Sequence, residues 1–221
     1  DSLAVLAQSA ARVAENEHRV QAQQQATAAS QQLRAQLAKS ALEILAENLD
    51  RLWGKIHNQA PNATRRPVTN AFQCTVGPAS LYVDLSRRDP IGLGVFSESG
   101  WDVICTSQIK VAQEQPKYVW SSSLWYMKLP QTSEYRWYEV SYWDWQQSEY
   151  QPFGTSDYRS ADIAASKIMS ALNIAFGPAL VDDEKEDEFH SRWIWLFAQA
   201  VEGKLRLPRT LPITDWPPQY A

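Results

Sequence analysis

Cysteine, histidine and long apolar runs are what this chain has little of. Of its 221 residues, two are cysteine and three are histidine. Cys74 and Cys105 cannot build a disulfide framework, so a reducing, cytoplasmic setting is expected, with each thiol free and buried in a strand. His18, His57 and His190 lie far apart with no cysteine pair beside them, so no metal site is expected. His190, in Glu188-Phe189-His190, is expected at the surface of an acidic helix. No apolar run reaches the roughly 18 residues that a membrane-spanning helix needs. The first residues also lack the basic stretch and apolar core of a secretory leader.

Basic charge is scarce too. The 21 Lys and Arg are outnumbered by 25 Asp and Glu, a net charge of −4, which argues against non-specific nucleic-acid binding. Glycine-rich phosphate loops are missing: Gly92-Leu93-Gly94 has neither the lysine nor the following helix that such a loop requires. There is no Gly-x-Ser-x-Gly elbow. Asp102, Lys110, Lys128, Glu139 and Asp144 are the raw material for metal-dependent nuclease chemistry. Glu139 and Asp144 have opposite strand parity, however, and would point to opposite faces of a sheet. No cofactor is expected, and an enzyme is the less favoured class.

The first 53 residues contain no Gly and no Pro, which turns the absences into a positive signal. Ala, Gln, Leu and Glu dominate there, so one long helix is expected, or a helical hairpin turning near Ala26–Ser30. Leu3, Ala10, Ala38, Leu45 and Leu52 share a seven-residue register, interrupted by Glu17, Gln24 and Gln31. Leu6, Val13 and Val20 form a companion stripe that fades at Thr27. Leu3, Leu6, Val13 and Val20 are the expected assembly residues. In the second half Leu33, Leu37 and Ile44 widen the apolar face, so residues from about 33 to 57 are expected to dock on a globular body.

Residues 58–70 read as a linker, with Pro61 and Pro67 as breakers. After it the hydrophobic period changes to two. Ala71–Val76, Leu81–Leu85, Leu93–Ser97, Trp101–Ala112, Tyr118–Leu129 and Glu134–Trp145 read as six strands. Their short links make an antiparallel meander. Six of the ten Trp lie between Trp101 and Trp145, and the last strand is aromatic on both sides. Both faces are then covered, or one forms a binding surface. Trp120, Trp125, Trp137, Tyr138, Tyr142 and Trp143 are the candidate binding residues, for a protein partner or a small molecule.

Two helices are expected to follow. One is capped by Ser160 and runs to Phe176; the other starts in the acidic run Asp182–Glu188 and is closed by Gly203. A Pro-rich tail, Leu205–Trp216, is too apolar to dangle. The expected organisation is a helical segment 1–57, a linker 58–70 and an α+β domain 71–221. The expected function is a non-enzymatic interaction or regulatory subunit. It would self-associate into a homo-oligomer or dock on a larger protein partner. A ligand-binding or sensor domain with an aromatic-lined pocket is the alternative, and an enzyme with a carboxylate-based site comes third.

Overall fold

The computed structural model describes residues 2–86, 100–143, 172–176 and 183–205. The chain divides into two units, Asp1–Lys39 and Ser40–Ala221. Helix α1, Ser2–Gln59, supplies the first unit and the opening element of the second. Without a breaker before Gly54, it passes through Ala26–Ser30 as helix, so the hairpin alternative is not realised. In the first unit every residue from 12 to 33 is exposed.

In the second unit the helix is amphipathic in fact as well as in pattern. Ala41, Leu45, Asn48, Leu49, Leu52 and Ile56 are buried, while Glu43, Glu47, Asp50 and Arg51 are exposed. The buried positions recur at three- and four-residue intervals, which places them on one face. Leu33, at the expected start of the docking stretch, is 58% exposed, and Ala38 is the first fully buried residue of the helix among those described.

Seven strands follow in the meander order β1-β2-β3-β4-β5-β6-β7, each antiparallel to its neighbours. They are β1 Thr64–Val68, β2 Ala71–Val76, β3 Ala79–Asp84, β4 Asp102–Gln113, β5 Tyr118–Lys128, β6 Arg136–Trp143 and β7 Leu172–Phe176. The α+β class expected from the sequence is the class observed. Two elements differ from expectation. Part of the expected linker is β1, which pairs Val68 with Ala71 across a turn where Asn70 takes φ 53°. The end of the expected helix at 160–176 is β7, because Leu172–Phe176 pairs with β6 and buries Ala175 and Phe176. The rest of that helix, the expected strand at 93–97 and the tail beyond 205 lie outside the described residues.

β1 is an edge strand, and all five of its residues are exposed. In a two-residue hairpin the residues flanking the turn exchange hydrogen bonds, so alternate residues direct their backbone outward. Pro67 is one of the outward set, where its missing N–H costs the ladder nothing.

The register puts Phe72, Cys74, Leu81, Val83, Ile109, Val111, Leu124 and Trp137 on one face, all buried. Helix α2, Asp183–Val201, packs on β3, β4 and β7 through Phe189, Trp193, Leu196, Phe197 and Ala200. It ends as expected at Gly203. That residue takes φ 70°, its N–H donates to Ala200 O, and the Lys204 N–H donates to Gln199 O at 2.8 Å. Those two bonds are the Schellman arrangement. Buried Gln113 then anchors the chain leaving α2, accepting from the Leu205 N–H at 2.9 Å and donating to Pro116 O at 2.7 Å.

Candidate functional site

The candidate aromatics of the sheet fall inside the body. Trp120, Trp125, Trp137 and Tyr138 are all buried. Trp137 donates its indole N–H to the Ala41 carbonyl of α1 at 3.2 Å and packs on Phe176, which in turn meets Phe189 edge-on. On the opposite face Trp125 meets Trp101 edge-on, at 6.5 Å between ring centres. Adjacent residues of β6, Trp137 and Tyr138, are both buried, so the sheet is covered on both sides there. Tyr142 and Trp143 pair through the backbone with Ser121 and Trp120; their side chains lie outside the described residues. The four buried aromatics therefore act as core.

The same face carries a polar interior. Glu139, fully buried, receives Arg192 Nη2 on one carboxylate oxygen at 2.7 Å and Trp193 Nε1 on the other at 3.0 Å. A charge in this position is tolerated because both of its oxygens are hydrogen-bonded and its partner is cationic. Two residues before Arg192, His190 is fully buried rather than at the surface, with Nε2 3.1 Å from Asn48 Oδ1. His190 shares a face of α2 with Glu186 and Asp187, four and three residues earlier, and that face meets α1. Burial is the main reason that His190 is pushed down to about 4, and the nearby Lys55 ammonium adds to it. Around it Arg51 grips Glu186 with two bonds of 2.7 Å, and Lys55 meets Asp187 at 2.5 Å. The Arg51 hydrogen bond holds the Glu186 carboxyl below its ordinary range.

This chemistry ties elements together and offers little to a substrate. Of the groups singled out for nuclease chemistry, Asp102 and Lys128 are cross-strand partners, but the four described ones do not gather at one site. Asp102 accepts from the Tyr135 hydroxyl, Glu139 is taken by Arg192, and Lys128 sits over the Tyr135 ring. Lys110 is on the other face, and Asp144 lies outside the described residues. Among the described residues no group of three or more His, Cys, Asp or Glu is placed to hold a metal ion. Cys74 and Cys105 are free and buried, and burial pushes the Cys74 thiol up to about 12, far from a nucleophile's range.

Two grooves remain. One, of about 300 Å³, lies against the β2–β3 and β4–β5 turns and is lined by Arg66, Thr75, Ser80, Glu114 and Lys117 among others. Its mixed charges favour no one ligand. The other, of about 360 Å³, lies on the first unit and is lined by Val20, Gln23, Gln24, Thr27, Ala28 and Gln31. Val13, 57% exposed, and Val20, 49% exposed, continue the same helix face. From Val20 to Leu33 the chain has no charged residue at all. Of the expected assembly residues, Val13 and Val20 stand in the open, whereas the side chains of Leu3 and Leu6 lie outside the described residues. Gln24 and Gln31, which interrupt the apolar register, both line this groove.

No family model, curated protein or solved structure matches this chain.

Proposed function

We propose that this chain is a non-enzymatic interaction subunit that assembles through its N-terminal helix. The observation that carries the reading is the exposure of every residue from 12 to 33, with Val13 and Val20 among them at seven-residue spacing. A helix that is polar all round normally persists in water by lacing its surface with ion pairs three or four residues apart. Residues 20–33 have no charges with which to do so. Ala and Gln favour helix intrinsically, but most helical stability in proteins comes from packing one face. Burial of this face against a partner is the natural source of that stability.

The aromatic residues contribute to this reading only as the core of a stable body, since none of the four buried ones offers surface to a partner. The test is sedimentation of the full chain beside a Val13→Asp/Val20→Asp variant. An assembled parent and a dissociated variant are expected. A parent that sediments as a lone monomer across the accessible concentration range, and retains no protein from its native source, would end the proposal.

A further inference from the structure

We infer that the partner of this helix is a second copy of it, running parallel and in register; the inference rests on the assembly reading above. The argument starts from the order of residues along the face. One heptad position holds Leu3, Ala10, Glu17, Gln24 and Gln31, and the other holds Leu6, Val13, Val20 and Thr27. The face is apolar towards its start and polar but uncharged towards its end. A partner must be apolar opposite the first part and able to hydrogen-bond opposite the second. A parallel copy in register meets both demands, layer by layer.

An antiparallel copy does not. Aligned over its full length it sets Leu3 against Thr27, Leu6 against Gln24 and Val13 against Glu17, and only Ala10 against Val20 is apolar on both sides. Shifted by one heptad it recovers Leu3 against Val20 and Ala10 against Val13. It then puts Leu6 on Glu17 and leaves Gln24, Thr27 and Gln31 unmatched. A Glu17 carboxylate set against leucine or valine gains no partner, and the shifted pair also gives up every layer from 24 to 31, so the parallel arrangement uses more of the face.

The flanking positions point the same way. Ala7, Ala14, Gln21 and Ala28 on one side and Ser9, Asn16, Gln23 and Ser30 on the other are uncharged. In coiled coils these flanks use charge to choose a partner of different sequence or to reject a copy. Here they do neither, and their small residues allow close approach. Glu17 is the one charged layer and meets its own kind. Like carboxylates facing each other repel, so this layer costs the pair stability.

The groove supplies the geometry. Side chains cross a parallel coil as knobs, each entering a hole of four residues on the facing helix. The hole for a knob at position 24 comprises Val20, Gln23, Gln24 and Thr27. The hole for a knob at position 27 comprises Gln24, Thr27, Ala28 and Gln31. Together these are the six residues that line the groove. The Thr27 hydroxyl already donates to the Gln23 carbonyl at 2.9 Å, so it enters the seam satisfied. Gln24 would face its counterpart, amide to amide, where each can donate and accept.

Site-directed disulfides test the arrangement in the full chain, because Cys74 and Cys105 are buried and give little background. Gln24→Cys places a thiol in the seam and Ala22→Cys places one on the outer face. Under oxidised glutathione, Gln24→Cys should become a covalent dimer on non-reducing gels, several-fold faster than Ala22→Cys. If the chain sediments as an assembly but Gln24→Cys links no faster than Ala22→Cys, the parallel in-register copy is wrong and the assembly reading stands. A parent that sediments as a monomer would remove the second copy, and would remove the assembly reading too if it also retains no protein from its native source.

Discussion

Two stretches of α1 are both unbroken helix and meet opposite fates. Residues 41–56 bury Leu45, Leu49, Leu52 and Ile56, whereas residues 12–33 leave Val13, Val20 and Leu33 exposed. Helix propensity does not separate them, for both lack glycine and proline before Gly54. What separates them is the width of the apolar face. The later stretch has an apolar residue on almost every turn, with Ala41 and Asn48 completing the stripe that meets the sheet and α2. The earlier one has a single narrow line. A wide face binds a body, and a narrow seam suits another helix.

The sharpest way to break the comparison is to attack the body's interior. Arg192→Met leaves the Glu139 carboxylate buried without its cation and should destabilise the body by about 3–5 kcal/mol in urea unfolding. Pairing it with Glu139→Leu should restore much of that loss. If Arg192→Met alone is silent, the interior pair does not hold the body as described.

Acid is the next lever. A folded His190 held near 4, against an ordinary 6.5, takes up its proton less readily than it does unfolded. The unfolded state therefore binds more protons between those values. This contribution is fully present above about pH 6.5 and is lost as pH falls towards 4, amounting to about 3 kcal/mol at most. Glu186, whose carboxyl is held low by Arg51, adds its own loss only at lower pH. Urea midpoints at pH 7 and pH 5 should differ for the parent, and His190→Gln should shrink the difference.

The smallest effect belongs to the exposed stretch. Val20→Ala should change unfolding of the body by less than about 0.5 kcal/mol when measured at dilution. Leu49→Ala, on the same helix, should cost several times more. Val20→Ala should weaken association all the same. An equal loss of body stability from both would erase the distinction between the two stretches.

Much of this was legible in the sequence. The helix announced itself by lacking breakers, and the meander by alternating residues with short links. The exposed pair Val13 and Val20 was visible as spacing. What was hidden depended on partners far along the chain. His190 looked like a surface residue because residue type says nothing of depth, and Asn48 lies 142 positions away. The ion pair of Glu139 with Arg192 joins β6 to α2, and no local pattern links them. Strand β1 was read as linker because Arg65, Arg66 and Pro67 look like a solvated break. Strand β7 was read as helix because its end, Leu172–Phe176, prolonged an apolar helical stripe, and only pairing with β6 decides otherwise.

Pro67 has a consequence for the company this protein keeps. A sheet edge ordinarily presents a row of donors and acceptors on which another strand can nucleate, and chains joined that way grow without limit. At β1 the outward row is short and missing one of its donors, and Arg65 and Arg66 flank the gap with charge. Growth by strand addition is discouraged at that border. The helical seam proposed above has no such open edge, for a pair of helices, once zipped, is closed and finite.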